Sequence, residues 1–438
     1  MTGSTHLIVN DRASISVLTV CWETLKLNLS PCEIGFSYAR REIFNFLWRV
    51  LCFFDIMKQV DAVDRIKGAI YVWTDIKGFK LGNAENTDAA TGCTVIVAEK
   101  GATAGVDVRG GGPATRETDL LRSENTIDMI HAVVISGGSA YGLEAGSGVM
   151  RELENMKIGH RVGNCIVPIV CQASLFDLNV GQSDVRPDRT MGVKAVHNAF
   201  CGGEFHHGNY GAGTGASVGK FYGMNRAMKT GLGTFACSDG EIEVGAITAV
   251  NAFADVYDGR NQVIAGLLSA DGKRIDGTIR PLKNCVAAES SYNMKNKMEP
   301  FFNKRKEEEA FPEPETTEVI QEPVKEETPA VNKQSKDMGY DITFNTTISC
   351  LITNAKLTKA QCNKLASILH DGYARAIKPV HSTMDGDTIF VMTTGEKDVN
   401  FDAFAALATD IVQYSVIDGA ISAESAYGLP AAREFLRK

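Results

Sequence analysis

Phe344-Asn345-Thr346-Thr347-Ile348-Ser349-Cys350-Leu351-Ile352 is the stretch on which the predicted fold and chemistry of this chain depend. Its β-branched and apolar residues predict a buried strand. One face of this strand carries Thr346, Ile348, Cys350 and Ile352. A residue at the start of such a strand is rigidly held, as a catalytic group must be. Most Asn-Thr-Thr strings are ordinary strand starts, so the rest of the sequence has to separate the two interpretations.

Thr346 is a candidate nucleophile for a chemical reason. A threonine hydroxyl reacts slowly unless a base stands next to it. If the bond between Asn345 and Thr346 is cut, Thr346 becomes the first residue of a new chain. Its α-amine, with a pKa of about 7.7–8.0, can then accept the hydroxyl proton. We therefore treat self-cleavage at this bond as a hypothesis to be tested against the structure.

The composition predicts a cytoplasmic protein without nucleic-acid or membrane partners. The formal net charge of the 438 residues is −8, which gives no reason to expect binding to an anionic polymer or surface. The 11 cysteines include no Cys-x-x-Cys pair, which favours reduced thiols over disulfides or a zinc site. The most apolar run, residues 43–56, contains Asn45 and Arg49 and is too short to span a bilayer.

The chain is predicted to be one α/β domain with two additions. Residues 1–65 form a poorly defined extension, for which a helix on a membrane surface is the alternative interpretation. Residues 66–438 form a single domain in which short strands alternate with glycine turns and helices. Within it, residues 295–337 are rich in Glu, Lys and Pro and predict a flexible linker, because they cannot bury enough apolar surface to offset their ordering entropy.

Several elements of this domain can be predicted from periodicity and turn residues. Thr358-Lys359-Ala360-Gln361 predicts a capping box that opens a helix. The other predicted elements are paired strands at 94–98 and 104–108, a strand at 131–136 leading into a helix, a strand at 242–252, a strand at 388–392 and a helix at 401–416.

Two motifs resemble known sites only in part. The glycine-rich loop 208–220 fails as a phosphate-binding loop because Phe221 follows Lys220 where Ser or Thr is needed. We expect its backbone amides to approach a substrate oxygen instead. Ser139, at a strand-to-helix turn, resembles a nucleophile elbow, but Tyr141 stands where that motif requires glycine. A helix N-cap is the alternative role of Ser139.

Asp385-Gly386-Asp387 has two interpretations that the sequence alone leaves open. Asp and Gly favour turns, so the three residues could simply connect a helix end to a strand. Two carboxylates at this spacing could also orient a hydroxyl and stabilise a protonated amine. The eight histidines lack the helical two-His spacing of zinc hydrolases, so we predict no metal and no cofactor.

Together these strings resemble the DmpA-type L-aminopeptidase/D-amidase-esterase family, which includes β-peptidyl aminopeptidases and nylon-oligomer hydrolases. The resemblance covers residues 66–438. The matching strings are Thr74-Asp75-Ile76-Lys77-Gly78-Phe79-Lys80-Leu81-Gly82, Val108-Arg109-Gly110-Gly111, Thr115-Arg116-Glu117-Thr118, Ser136-Gly137-Gly138-Ser139-Ala140-Tyr141-Gly142-Leu143, Val167-Pro168-Ile169-Val170, Gly211-Ala212-Gly213-Thr214-Gly215-Ala216, Val250-Asn251-Ala252, Asn345-Thr346-Thr347 and the run from His370 to His381.

The resemblance implies an αββα sandwich like that of N-terminal-nucleophile hydrolases but with different connectivity. It also implies self-cleavage into two chains that stay together, assembly into homo-oligomers, commonly tetramers, and action on small peptides, amides or esters. By motif, Thr346 is the nucleophile and Asn251 donates to the oxyanion, while Lys220 lies close to the nucleophile. Asp385 and Asp387 are expected to orient Thr346 and its amine.

One departure from the family concerns the oxyanion site. The segment Ser174-Leu175-Phe176-Asp177-Leu178 lacks the tyrosine that some members use as a second oxyanion donor. Two other functions remain open from the sequence. Ornithine acetyltransferases share the architecture but carry an Ala-Thr-Met rather than an Asn-Thr-Thr string. A non-catalytic binding protein with an uncleaved chain is the other alternative.

Overall fold

The computed structural model describes residues 70–71, 76–201, 205–286 and 345–436. The predicted extension at 1–65 and the predicted linker at 295–337 lie outside the described residues. The chain divides into two compact units, one made of Met1–Ile279 with Ile342–Lys438 and the other of Arg280–Asp341. Of the second unit, residues 280–286 are described.

Short strands and a few helices alternate along the described chain. The strands are β1 (Ile70–Tyr71), β2 (Lys80–Asn86), β3 (Thr91–Val108), β4 (Ala114–Arg116), β5 (Met129–Ser136), β6 (His160–Val162), β7 (Cys165–Val167), β8 (Val170–Ser174), β9 (Ser217–Val218), β10 (Met228–Lys229), β11 (Leu232–Asp239), β12 (Ile242–Ala249), β13 (Asp255–Tyr257), β14 (Val263–Ala265), β15 (Ile348–Ala355), β16 (Ile377–Lys378) and β17 (Thr388–Lys397). The α-helices are α1 (Glu144–Asn155), α2 (Arg189–Phe200), α3 (Ile279–Lys283), α4 (Lys359–Ala376) and α5 (Phe401–Ile421).

One hydrogen-bonded sheet joins most of these strands. Its order is β1-β11-β12-β15-β17-β3-β5-β8-β4, and β2 also pairs with β3. β15 pairs with β17 in parallel, as β5 does with β8. The start of β3 pairs with β2, whereas residues 103–108 pair with β17. The long strand β3 therefore belongs to both halves of the sheet.

Two predicted strands are in fact one. The sequence predicts separate strands at 94–98 and 104–108, but β3 runs through both and its pairing with β5 shifts register between Val97 and Ala102. Gly101 lies in this irregularity with φ +81°. The glycine therefore produces a bulge in a continuous strand rather than a hairpin turn.

Three of the hydrophobic cores formed by the described residues separate four layers. The outer core on one side joins α4 and α5 to β12, β15 and β17, and the outer core on the other side joins α1 and α2 to β3 and β5. The central core contains alternate residues of the same strands. These include Ile96, Ile135, Ile247, Cys350 and Phe390. Because both faces of each strand are covered, the two halves of the sheet lie face to face between helices, which is the predicted αββα arrangement.

Helices α4 and α5 follow from local signals. Thr358 and Gln361 form the predicted capping box at the start of α4. Helix α5 continues to Ile421, five residues beyond the predicted end at residue 416. By length and composition α5 could cross a membrane, but 78% of its apolar window is buried inside the protein. Its apolar character is thus explained by its packing on the sheet.

A buried aspartate attaches α5 to the sheet. Asp418, 5% exposed, accepts hydrogen bonds from His207 Nδ1 at 2.7 Å and from the Thr234 backbone N–H at 2.8 Å. Burial alone would raise the pKa of Asp418, but its contacts with His207 and its hydrogen bonds outweigh burial and lower the pKa below 3.8. Asp418 therefore stabilises the fold above pH 3.8, and this stabilisation is lost as the pH falls through the lowered pKa.

We expect Asp418→Asn to lower the free energy of unfolding by about 1–3 kcal/mol at pH 7, because buried donors lose their acceptor. The loss should shrink as the pH falls below 3.8 toward the lowered pKa of Asp418, because the stabilisation by the wild-type carboxylate is lost over that range. Thermal unfolding at pH 7 and near pH 3 measures both effects. Asp410 lies on α5 like Asp418, but its ion pair with Arg375 of α4 is half-exposed. Asp410→Asn is therefore the control and should change the stability little. Equal losses in the two variants at pH 7 would contradict the assignment.

Candidate active site

Thr346 lies in a buried position just before β15. It is 3% exposed, and its backbone N–H donates to the Asn251 carbonyl oxygen at 2.9 Å. Its hydroxyl donates to the carbonyl oxygen of Asn345. The sequence predicts Thr346 within the strand, but the strand begins at Ile348, because Thr346 bonds to Asn251 rather than to a neighbouring strand. The hydroxyl thus lies against the carbonyl of the bond that is predicted to be cut.

The turn that contains Asp385, Gly386 and Asp387 closes over this threonine. The Gly386 N–H donates to the same Asn345 carbonyl oxygen at 2.8 Å. A Cβ atom at Gly386 would lie 2.6 Å from Thr346 Oγ1. Any side chain at this position would therefore collide with the candidate nucleophile, so glycine is required for close approach.

The two carboxylates of this turn hold the backbone rather than Thr346 itself. Asp387 Oδ1 accepts from the Thr347 N–H at 2.9 Å. Asp385 accepts from the Phe253 N–H at 3.2 Å and from the Ser382 N–H at 3.0 Å. Neither carboxylate hydrogen-bonds to Thr346 in the described structure, and their expected role in orienting Thr346 and its amine stays a prediction. The segment therefore forms a turn, and both of its carboxylates are buried.

Asn251 and Lys220 form the opposite side of the site. The Lys220 ammonium donates to Asn251 Oδ1 at 2.6 Å, and the Ser217 N–H donates to the same oxygen at 3.1 Å. These two donors orient the amide, so that Asn251 Nδ2 donates to the Phe176 carbonyl at 2.9 Å. Asn251 lies two residues beyond the end of β12 and is fully buried. The structure therefore brings together Thr346, Asn251 and Lys220, three of the residues that the family resemblance singles out.

Three amides of the glycine-rich loop bond within the protein. The amide of Gly211 donates to Glu85, that of Ala212 to Thr94, and that of Lys220 to the Phe253 carbonyl. These three amides are therefore not free to bind a substrate oxygen. The loop is instead fastened by the fully buried Lys229 ammonium, which donates to the carbonyls of Gly213 and Ala216 at 2.9 and 3.1 Å. Its function is to deliver Lys220 and the Ser217 amide to Asn251.

Burial controls the charges of the site. It lowers the pKa of Lys220 to about 7, although the nearby carboxylates Asp385 and Asp177 act in the opposite direction. Burial, together with the charge of Asp387, raises the pKa of Asp385 to about 7. Both groups therefore titrate near neutral pH, where a proton can be exchanged at little cost.

Asp177 is a site residue that the sequence does not reveal. Burial raises its pKa to about 6, and it accepts from the Gly138 N–H and the Thr91 hydroxyl, both at 2.7 Å. A Cβ atom at Gly137 would lie 1.9 Å from its carboxylate. The Gly-Gly-Ser string therefore accommodates Asp177. Ser139 does not cap α1, which begins at Glu144 without a side-chain cap.

His381 is the second residue missed from the sequence. Its ring Nδ1 and its backbone N–H both donate to Asp387 Oδ2, at 2.8 and 3.2 Å. Its ring packs edge-on against His370, with the centroids 4.6 Å apart. Burial lowers the pKa of His370 to about 4, so the His370 ring is uncharged at neutral pH. The only signal in the sequence is that His381 ends one of the strings shared with the family.

No group of three or more His, Cys, Asp or Glu side chains is placed to hold a metal ion within the part of the chain that the structure describes.

Comparison with solved structures identifies the fold. The PH0078 protein of Pyrococcus horikoshii OT3 superimposes with a TM-score of 0.53 at 16% identity, covering 85% of this chain and 97% of that one. The L-aminopeptidase D-Ala-esterase/amidase of Ochrobactrum anthropi, described as a variant of the Ntn-hydrolase fold, gives a TM-score of 0.51 at 17% identity, covering 83% and 91%. The αββα arrangement is thus an Ntn-hydrolase-like fold, as predicted.

Comparison of sequences identifies the family. The chain is 31% identical to an uncharacterized aminopeptidase of Mycobacterium bovis over 386 residues, 82% of this chain and 96% of the relative. It is 29% identical to a 6-aminohexanoate-oligomer endohydrolase of Paenarthrobacter ureafaciens over 357 residues, 78% and 84% of the two chains. The sequence model of peptidase family S58 matches residues 72–432. The chain therefore belongs to peptidase family S58, the DmpA-type hydrolase family that its motifs resemble.

Proposed function

We propose that this hydrolase cuts its own chain between Asn345 and Thr346 and then uses Thr346 to hydrolyse small aminoacyl amides or esters. One observation carries this proposal. The Thr346 hydroxyl lies on the Asn345 carbonyl oxygen inside a buried site, and the Gly386 N–H donates to the same oxygen. An attacking group and an oxyanion donor thus meet at a single peptide bond.

Self-cleavage then follows in two steps. Thr346 Oγ forms a bond to the Asn345 carbonyl carbon, the bond from that carbon to the Thr346 nitrogen breaks, and the hydroxyl proton is transferred to the leaving nitrogen. The product is an ester between residue 345 and the Thr346 side chain, with a free amine on Thr346. Water hydrolyses the ester and releases a carboxylic acid at residue 345. No further reactant is consumed.

The freed Thr346 supports the same chemistry on a substrate. Its amine nitrogen is the atom that donates to the Asn251 carbonyl at 2.9 Å in the uncleaved chain, so it begins in a fixed position. In this proposal the amine accepts the hydroxyl proton and Asn251 Nδ2 donates to the oxyanion. Lys220, with its pKa lowered to about 7, holds the Asn251 amide in the required orientation.

The test is the state of the wild-type chain and its activity. A denaturing gel with intact-mass measurement should give two fragments, the smaller beginning at Thr346, and aminoacyl p-nitroanilides should be hydrolysed. A single uncleaved chain without hydrolysis would overturn the proposal. A homo-oligomer of cleaved chain pairs in the cytoplasm stays a prediction, and light scattering of the purified protein would measure its mass.

We expect His381→Ala to lower kcat about tenfold, because Asp387 loses a hydrogen bond that positions the turn around Gly386. His381→Asn should restore most of the activity, since asparagine offers a donor and tolerates the φ of +54° found at this position. Hydrolysis by the two variants, followed across pH, is the measurement. His197→Ala, which removes an exposed histidine paired with Glu152, is the control. Equal rates in the alanine and asparagine variants would argue against a positioning role.

A further inference from the structure

Residue 345 occupies a defined place on the edge of the turn. Its backbone N–H donates to the Met384 carbonyl at 2.9 Å, and its carbonyl accepts from the Gly386 N–H at 2.8 Å. This is an isolated parallel β-bridge between Asn345 and Asp385. Asn345 is 1% exposed, so its side chain is also enclosed. The chain itself therefore displays an amino-acid residue bound next to Thr346.

Provided that the proposed self-cleavage takes place, residue 345 also shows where the acyl residue of a substrate binds. The ester formed in that reaction carries residue 345 as the acyl group on Thr346 Oγ. An acyl-enzyme formed from a substrate carries the substrate's acyl residue on the same oxygen. The two species differ only in the acyl group, so water must attack both in the same surroundings. The place of residue 345 in the uncleaved chain thus marks the place of the substrate's acyl residue.

We propose that the Met384 carbonyl and the Gly386 N–H form the acyl-residue subsite, which residue 345 vacates after cleavage. In this subsite the substrate amine donates to the Met384 carbonyl, and the substrate carbonyl accepts from the Gly386 N–H. In Asn345 the nitrogen and the carbonyl carbon are separated by one Cα atom. The Met384 carbonyl and the Gly386 N–H together therefore recognise an L-α-aminoacyl group. A β-aminoacyl or ω-aminoacyl group separates the same atoms by additional methylenes and cannot make both hydrogen bonds in this geometry.

The Gly386 N–H also supplies the second oxyanion donor of the site. The segment Ser174-Leu175-Phe176-Asp177-Leu178 lacks the tyrosine hydroxyl that some family members use, and the Phe176 carbonyl accepts from Asn251 Nδ2. The Gly386 N–H already donates to the reacting carbonyl oxygen of residue 345. The subsite thus supplies a second oxyanion donor from the backbone, which no side-chain substitution elsewhere in the chain removes.

Isomeric substrates test the subsite. L-alanyl-p-nitroanilide and β-alanyl-p-nitroanilide contain the same atoms and the same leaving group, and D-alanyl-p-nitroanilide differs only in configuration. For the cleaved wild-type protein we expect kcat/KM for the L-α compound to exceed that for the β-alanyl compound by at least about tenfold, the effect of losing one good hydrogen bond. The D compound keeps the one-carbon spacing but cannot direct its side chain as the L-residue Asn345 does, so its kcat/KM should also be lower than that of the L compound. An equal or higher kcat/KM for the β-alanyl compound, with normal self-cleavage, would overturn the subsite and leave the proposed function standing.

Variants of residue 345 test whether the two acyl residues share one site. The variants are Asn345→Ala, Asn345→Leu and Asn345→Lys, and their self-cleavage rates are followed with time on denaturing gels. The order of these rates and that of the wild type should match the order of wild-type kcat/KM for the L-Ala, L-Leu, L-Lys and L-Asn p-nitroanilides. Unrelated orders would contradict the shared subsite. Absence of self-cleavage in the wild type would overturn both the subsite and the proposed function.

Discussion

Replacing Thr346 by alanine is expected to leave the chain in one piece and to abolish hydrolysis. The hydroxyl that lies on the Asn345 carbonyl oxygen is removed, so neither the internal ester nor an acyl-enzyme can form. Loss of a nucleophile that acts together with its base costs on the order of 10⁴-fold or more in rate. A denaturing gel and a p-nitroanilide assay on the same preparation measure both effects.

The neighbouring threonine provides a matched control. Thr347 is also buried, but its hydroxyl has no hydrogen-bond partner among the described residues. Thr346→Val and Thr347→Val are the same change of shape and polarity at adjacent positions. Only the first should stop cleavage and hydrolysis, while the second should retain both. Continued processing in Thr346→Ala, or equal defects in the two valine variants, would refute Thr346 as the nucleophile.

Asn251→Asp is expected to reduce kcat by about 10²–10³, the effect of losing one preorganised oxyanion donor. Aspartate keeps an oxygen for the Lys220 ammonium and the Ser217 N–H, so these buried donors remain satisfied. The amide donor, which Asn251 Nδ2 directs toward the Phe176 carbonyl, is lost. The variant should therefore fold, and the defect should appear in kcat at the pH where the wild type is most active.

Asn354 is a suitable control for this substitution. It is a buried asparagine at the far end of β15, and its side chain accepts from the Glu243 N–H and donates to the Glu241 carbonyl. Asn354→Asp keeps the oxygen acceptor and removes the amide donor to the Glu241 carbonyl, so it makes the same chemical change away from Thr346. Thermal unfolding should show a loss of stability in this variant with kcat unchanged. A comparable fall in kcat in the two variants would mean that Asn251 acts only through folding.

Local signals predict local elements accurately in this protein. The capping box at Thr358 and Gln361 involves residues three apart, and the helix that it opens has the predicted start. The error at residues 94–108 has the same origin. Gly101 marks a break in regular pairing, but whether that break becomes a hairpin or a bulge depends on β17, almost three hundred residues later, which pairs with residues 103–108.

The contacts of the site illustrate what sequence patterns cannot contain. Asn251 Nδ2 bonds to the Phe176 carbonyl 75 residues away, and the Lys220 ammonium reaches Asn251 across 31 residues. The glycine loop looked suited to binding a substrate oxygen, yet its amides are used by Glu85, Thr94 and Phe253. Residue spacing along the chain does not say which groups will compete for a donor once the strands are packed.

By itself, the sequence determined the family, the layered fold and the identity of the residues around Thr346. It could do so because hydrophobic periodicity, caps and turns act over a few residues, and because many short strings occur in the family's order. Only the tertiary structure decided how those residues meet. It set Thr346 before its strand, turned Asp385 and Asp387 toward backbone amides, and placed Gly386 on the Asn345 carbonyl. The physical reason is that these contacts arise where β12, β15 and β17 lie side by side, and that order depends on packing of the whole sheet.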